Sequence, residues 1–225
     1  MFKRKYSSET DKNSETQPTS AFRKQLEIVR KIKHNQQGSE FGLERIIRLF
    51  LSAAQLITPV MLLKSYFGRL GFLQRKLAVE LYLLFKIVFP LTCILFEWLN
   101  TATLLVNSFF LVETLLYLLN LVFLSDLVKP HSYRRALLFT FLNYIEICFG
   151  FAAIYSHLNL SNNFNTLRPF QTKMEAVYFS FITASSIGYG DFWPNTGVAE
   201  FLVVCQSLIY FLFIAIFMGF FVSKV

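Results

Sequence analysis

The sequence predicts an all-α membrane protein whose chain crosses the bilayer four times. Hydrophobic residues make up 54% of its 225 residues, whereas charged residues make up only 16%. Mean hydropathy is +0.46, and so few charges do not cover the surface of a soluble globule of this size. Apolar stretches of about 18 residues or more are transmembrane candidates. Four stretches qualify: Leu77–Trp98, Thr103–Leu127, Ala136–Leu158 and Val198–Val222.

The segment before the first predicted span is polar and basic. Ser7–Ser20 lacks an apolar period, so we expect disorder there. Ala21–His34 alternates basic and aliphatic residues, which predicts a helix lying on the membrane surface. Ile46–Leu63 is apolar but contains an arginine, a glutamine and Pro59, and its flanks are basic. We interpret it as an interfacial amphipathic helix or a re-entrant segment.

Basic residues are unevenly distributed along the chain, and their placement predicts its orientation. Residues 1–76 hold 15 of the 22 Lys and Arg residues, and the connection Leu99–Ala102 holds none. Lys129, Arg134 and Arg135 cluster before the third span. The positive-inside rule then puts both termini in the cytoplasm of a multi-pass protein, which we expect in the cell (plasma) membrane. The net charge of +8 predicts contact with anionic lipid and not with nucleic acid.

One short run between the third and fourth spans has a composition unsuited to regular structure. Residues 183–191 read Thr-Ala-Ser-Ser-Ile-Gly-Tyr-Gly-Asp. Each glycine weakens a helix or strand by roughly 0.5–1 kcal/mol. Glycine does suit a strand that alternates left- and right-handed backbone conformations, because it enters the left-handed region without steric cost. Such a strand turns successive carbonyl groups toward one axis, where they are able to replace the water around a cation.

The run Ser-Ile-Gly-Tyr-Gly-Asp at residues 186–191 resembles the selectivity filter of the tetrameric potassium channel superfamily. The resemblance covers residues 136–225 and implies an outer helix, a re-entrant pore helix, a filter and an inner helix. It implies passive K⁺ conduction, with a homotetramer around a central pore because one filter strand supplies only one wall. The residues it assigns to ion binding are Ser186, Ile187, Gly188, Tyr189 and Gly190, with K⁺ held at the first four.

The residues before and after the filter are predicted to support it. Thr172-Lys173-Met174-Glu175 has the form of a capping box and predicts a helix from about Lys173 to Ala184. The partial negative charge at that helix's C-terminus favours a cation nearby. By resemblance, Tyr189 belongs to an aromatic cuff and Asp191 fixes the outer end of the filter. Asp191 is alternatively a solvated turn residue. The remaining predicted support residues are Thr183, Tyr178 and Phe179.

The sequence departs from the commonest family pattern at four positions. Ser186 stands where many relatives have Thr, and Ile187 stands where many have Val. Ile182 occupies a position where some relatives have a carboxylate that pairs with the filter aspartate. Phe179 replaces a hydrogen-bonding Trp, a role that the neighbouring Tyr178 is able to take. We expect filter gating to differ from those relatives.

The last span is predicted to be the inner helix. Its glycine is late, at Gly219, so a hinge glycine in the middle of the helix is missing. Candidate gate residues are Ile214, Met218 and Val222, which lie one turn apart on one face. The alternative is that these three side chains face lipid.

The first two spans lack the repeated basic residues that a voltage sensor requires. Lys86 is the only basic residue well inside either of them, and helix geometry puts Glu113 and Glu146 at nearly the same depth. Charges at mid-membrane are costly and normally pair. We expect Lys86 to pair with one of the two glutamates; the alternative is that each faces a wet crevice separately.

Together these patterns predict three parts: a basic N-terminal region (1–76), a two-helix segment (77–128) and a pore domain (136–225). The predicted function is potassium-selective conduction. The alternatives are a weakly selective monovalent cation channel and a non-conducting, pore-like regulatory subunit. No catalytic or nucleotide-binding motif is present, so the sequence predicts neither an enzyme nor a cofactor other than K⁺ as the permeant ion.

Overall fold

The protein is mostly helical in the part described by the computed structural model, which is residues 21–34, 42–67, 71–124, 126–127, 133–160 and 170–222. Within these ranges there is no β-strand. The helices are α1 Ala21–Lys33, α2 Leu43–Ala54, α3 Pro59–Phe67, α4 Phe72–Leu95, α5 Thr101–Phe123, α6 Tyr133–Leu160, α7 Lys173–Ala184 and α8 Gly197–Val222. The prediction of disorder for Ser7–Ser20 lies outside the described residues.

Four helices, α4, α5, α6 and α8, are long and apolar enough to cross a membrane, which confirms the all-α membrane fold. Each coincides with one predicted span within a few residues. The largest difference is in α4, which begins at Phe72 and ends at Leu95, whereas the predicted span was Leu77–Trp98. The helix ends early because the chain turns at Glu97, which has a left-handed backbone with φ of 59°.

The turn between α4 and α5 is closed by a capping box at the start of α5. The Asn100 side chain accepts a hydrogen bond from the Thr103 backbone N–H at 2.9 Å, and the Thr103 hydroxyl accepts one from the Asn100 N–H at 3.0 Å. These bonds satisfy backbone donors that the first turn of a helix leaves unpaired. The resulting tight connection makes α4 and α5 an antiparallel hairpin.

The segment before α4 is bent rather than straight. The pair formed by Leu43–Ile57 and Pro59–Phe67 is long and apolar enough to count as a broken span or a re-entrant loop, and its two parts are inclined by 59°. Pro59 lacks a backbone N–H and therefore begins a new helix. Arg48 in α2 binds Asp126, just beyond the end of α5, with Nη2 2.6 and 2.5 Å from the two carboxylate oxygens.

The interior of the protein centres on α6, which packs against α4, α5, α7 and α8. The fully buried Tyr155 and Cys148 lie on α6, and Leu118 of α5, Phe179 of α7 and Phe213 of α8 bury their side chains in the same region. Large apolar side chains on the outward faces of α4, α5 and α8 remain exposed. This distribution is expected of a helix bundle that is surrounded by lipid.

Candidate functional site

The short helix α7 begins where the capping box predicts. The Glu175 carboxylate accepts hydrogen bonds from the backbone N–H groups of Gln171, at 2.5 Å, and Thr172, at 3.3 Å. A carboxylate in the first turn is also favoured by the positive end of the helix dipole. With twelve residues, α7 is roughly 18 Å long, about half of a transmembrane helix.

The end of α7 leads directly into the predicted filter through a Schellman motif. The Ile187 N–H donates to the Ile182 carbonyl at 3.0 Å, and the Ser186 N–H donates to the Thr183 carbonyl at 3.1 Å. Ser186 has φ of 59°, the left-handed conformation that this motif requires of the residue after the cap. The first filter residue therefore also terminates the helix.

The filter segment, defined as residues 186–190, alternates in backbone handedness. Ser186, Gly188 and Gly190 have φ of 59°, 55° and 78°, whereas Ile187 and Tyr189 are not among the described residues with positive φ. This alternation turns successive carbonyl groups to the same side of the chain. A Cβ added at Gly188 would meet no atom of this subunit within 4 Å, so backbone conformation and not space requires glycine there.

The two large side chains of the filter segment lie largely on the surface of the subunit. Ile187 is 55% exposed and Tyr189 is 68% exposed. The Tyr189 ring is parallel to that of Tyr178, with centroids 6.4 Å apart, and the Tyr178 side chain also lies beside that of Asp191. The structure thus brings together Tyr178, Tyr189 and Asp191 at one end of the segment.

Phe179 and Ile182 lie behind the filter segment, in the core. Both are buried, and the Phe179 ring packs edge-on against Tyr155 of α6 with centroids 5.0 Å apart. Phe179 is surrounded by aromatic and aliphatic side chains, whereas Tyr178 faces the outer surface. Thr183 is partly buried and contributes its backbone carbonyl to the end of α7.

A buried polar network that the sequence reasoning missed holds α7 between α6 and α8. Gln206 Nε2 donates to both the carbonyl and the hydroxyl of Ser180 at 2.9 Å, and Gln206 Oε1 accepts from the Tyr155 hydroxyl at 2.7 Å. The Ser180 hydroxyl donates in turn to the Cys148 carbonyl at 2.7 Å. The available signal was an amide side chain in the middle of a strongly apolar span.

Two of the predicted gate residues, Ile214 and Met218, lie on the face of α8 that points away from the core. Ile214 and Met218 are 40% and 59% exposed, while Phe213 and Ile216 face inward and are buried. The side chain of Val222 lies outside the described residues. The exposed face is available to a central cavity or to lipid, which are the two interpretations that the sequence leaves open.

The three intramembrane charges come together between α4, α5 and α6. Lys86 Nζ lies 3.5 Å from Glu113 and 3.2 Å from Glu146, and all three side chains are buried. Thr114 links them, because its hydroxyl accepts from Lys86 at 2.5 Å and donates to Glu146 at 2.7 Å. The Tyr82 hydroxyl donates to Glu113 at 2.6 Å. These contacts join the α4–α5 hairpin to α6.

A second connection joins the hairpin to the start of α7. Lys173, the first residue of α7, donates to the Leu95 carbonyl at 2.7 Å and lies 3.1 Å from the Glu97 carboxylate. A lysine at a helix N-terminus opposes the helix dipole, and the Glu97 charge compensates for it. Sequence reasoning did not predict this pair, because the left-handed turn at Glu97 has no glycine to mark it.

The oxygen atoms that the filter segment presents are mainly those of its backbone. Among the described residues, no group of three or more His, Cys, Asp and Glu side chains is placed to hold a metal. The three cysteines are free. The filter segment offers successive carbonyl groups, which are the ligands of a dehydrated monovalent cation in pore filters.

Comparison with known proteins gives one match. Residues 143–225 match a family model described as ion channel. The matched region includes most of α6 and all of α7, the filter segment and α8. No curated protein matches the chain, and no solved structure matches it.

Proposed function

We propose that the chain forms a potassium-selective channel, and the match of residues 143–225 to the ion channel family model supports this proposal. K⁺ moves passively down its electrochemical gradient through the filter segment, without a chemical step or an organic cofactor. The observation that carries this proposal is the left-handed backbone at Ser186, Gly188 and Gly190, immediately after a helix of half-membrane length.

The filter segment binds K⁺ by replacing its hydration water with carbonyl oxygen. Carbonyls of Ser186, Ile187, Gly188 and Tyr189 form the ladder, and the partial negative charge at the end of α7 favours a cation beside it. The side chains of Ile187 and Tyr189 point away from the ion. The stacked rings of Tyr178 and Tyr189 support the ladder from behind, together with Asp191.

The filter requires more than one copy of the chain. A single strand forms one wall, and four strands around a symmetry axis enclose the ion. The exposed apolar side chain of Ile187 and the exposed ring of Tyr189 support this proposal, because a ring of subunits covers them. The proposed assembly is a homotetramer.

The proposed orientation has both termini in the cytoplasm and the filter entering from outside, in the plasma membrane. The concentration of basic residues before α4 supports it. The exposed basic side chains of α1 are then placed to meet anionic lipid.

A flux assay on purified protein in lipid vesicles tests the function. Vesicles are loaded with K⁺ or Na⁺ and diluted into a medium lacking that cation, and a protonophore with a pH-sensitive dye reports cation efflux. We expect efflux from K⁺-loaded vesicles and little from Na⁺-loaded ones. Equal efflux from both kinds of vesicle would favour a weakly selective cation channel. Ser186, which stands where many relatives have Thr, makes this the main alternative function. No efflux from intact oligomers would favour a non-conducting regulatory subunit.

A further inference from the structure

Gln206 is a polar side chain in the middle of the most apolar helix of the protein. It is only 1% exposed, and most of its neighbours along the centre of α8 are aliphatic or aromatic. A buried amide without hydrogen-bond partners destabilises the folded protein, so a buried glutamine is expected to be bonded. The partners of Gln206 therefore indicate what it does.

Every hydrogen-bonding atom of the Gln206 amide is used, and its partners lie on two other helices. Nε2 makes two bonds to one residue, Ser180 of α7, through the backbone carbonyl and the hydroxyl. Oε1 accepts from Tyr155 of α6. Ser180 is itself fixed to α6 by its bond to the Cys148 carbonyl. The network is buried, and its bonds join three helices, which makes its geometry specific.

Ser180 connects this network to the filter segment through the last turns of α7. Ser180 lies six residues before Ser186, about 9 Å along the helix axis. The connection from Ser180 to Ser186 is rigid, because the Schellman motif bonds Ser186 and Ile187 to the last turn of α7. A shift of α7 relative to α8 is therefore transmitted to the filter segment.

We propose that Gln206 is a positioning residue for ion selectivity, which holds α7 at the depth and rotation that set the diameter of the filter. The inference rests on the proposed channel function. Through Gln206 the inner helix α8 bonds directly to the helix that carries the filter, so a movement of α8 alters selectivity as well as opening. Tyr155 sets the orientation of the amide and thereby points Nε2 at Ser180.

A purely structural role predicts a different result. If the network only stabilises the bundle, its loss lowers the yield and thermal stability of the oligomer. The channels that do assemble then keep the permeability ratio of K⁺ over Na⁺. If the network positions the filter, that ratio falls in assembled channels.

The test is the bi-ionic reversal potential of full-length wild type, Gln206→Leu, Ser180→Ala and Tyr155→Phe, with the oligomer fraction measured on the same samples. Ser207→Ala is the matched control, because the Ser207 hydroxyl bonds only to the Val203 carbonyl of its own helix. We expect Gln206→Leu to lower the permeability ratio, because α7 then loses both of its hydrogen bonds to the Gln206 amide. Ser180→Ala and Tyr155→Phe should lower it less, and Ser207→Ala should not change it.

The remaining outcomes are also decisive. A selective wild type with an equally selective Gln206→Leu channel would overturn this inference and leave the proposed function intact. If Gln206→Leu does not assemble, the milder Ser180→Ala and Tyr155→Phe variants decide, and unchanged ratios in both would overturn the inference. A conducting but unselective wild type would overturn the proposed function, and the inference with it.

Discussion

The Asn107 side chain of α5 donates a hydrogen bond to the backbone carbonyl of Gly150 in α6 at 2.9 Å. The two helices are close at this point, since a Cβ on Gly150 would lie 2.6 Å from a methyl carbon of Leu111. Glu146, one turn away on α6, receives the bond from Thr114 of α5. The α5–α6 contact is therefore fixed in register by one close backbone approach and two buried polar bonds.

Gly150→Ala should destabilise the protein despite the higher helix propensity of alanine. The added methyl group must displace Leu111, and overpacking of this kind costs about 1–3 kcal/mol. Gly219→Ala in α8 is the matched control, because a Cβ there meets no atom of the subunit within 4 Å. Thermal unfolding in detergent measures both. A melting temperature for Gly150→Ala at or above that of Gly219→Ala would contradict the close approach.

Lys86→Met should be strongly destabilising because it leaves two buried carboxylates without their shared cation. Removing one partner of a buried ion pair costs about 3–5 kcal/mol. Adding Glu146→Gln to this variant should recover part of the loss, since it removes one of the uncompensated charges. Lys31→Met, at an exposed lysine of α1, serves as the control. The yield of folded oligomer after solubilisation reports the effect, and equal yields for Lys86→Met and Lys31→Met would refute a structural role for the cluster.

The Arg48–Asp126 pair should make stability depend on pH in the acidic range. Burial by itself raises the pKa of Asp126, but hydrogen bonding to Arg48 and the positive charge of Arg48 outweigh burial and hold this pKa below its ordinary value. A carboxyl with a lowered pKa stabilises the folded state above its ordinary pKa of about 4, and that stability is lost as the pH falls through the lowered value.

Asp126→Asn should therefore lower the melting temperature at pH 7 and have little effect at strongly acidic pH. The change is small, no more than about 1 kcal/mol, because the Asp126 side chain is half exposed. The difference between the wild-type and variant melting curves isolates this pair from the other carboxyl groups. A difference that stays constant from pH 7 to strongly acidic pH would exclude the linkage.

Gly188→Ala should impair K⁺ conduction without unfolding the protein. Alanine at φ of 55° costs about 1–2 kcal/mol, so the backbone leaves the left-handed conformation and turns a carbonyl group away from the axis. Gly197→Ala is the control, because it too has space for a methyl group but is not in the left-handed region. K⁺ efflux per oligomer should fall for the first variant only. Wild-type efflux through Gly188→Ala would show that the alternation is not required.

Hydropathy and local motifs predicted the membrane spans of this protein and the bounds of its short helix α7. The four spans follow from the length and apolarity of their segments, and the bounds of α7 follow from the Thr172–Glu175 capping box. The rise per residue of a helix puts Lys86 at nearly the same membrane depth as Glu113 and Glu146, and the structure has both glutamates close to it. The partners of Gln206 were not predictable, since apolar residues surround α8 on nearly every face and do not indicate which face meets which neighbouring helix.

The turns of the protein were also not predictable from sequence patterns. Glu97 adopts a left-handed conformation without the glycine that normally marks one, and α4 therefore ends at Leu95 and not at the predicted Trp98. The bend before Pro59 depends on how α2 and α3 pack against α4 and α5, which a single sequence does not encode locally. Ser186 is a further case, because its φ is set jointly by the Schellman motif and by the filter that follows.

The central claim is that the filter segment selects K⁺, and the bi-ionic reversal potential of the wild-type protein in a planar bilayer tests it most directly. With K⁺ on one side and Na⁺ on the other, the account predicts a reversal potential near the K⁺ limit. A reversal potential near zero would contradict it, and Ser186→Thr would then be the first variant to examine for a gain of selectivity.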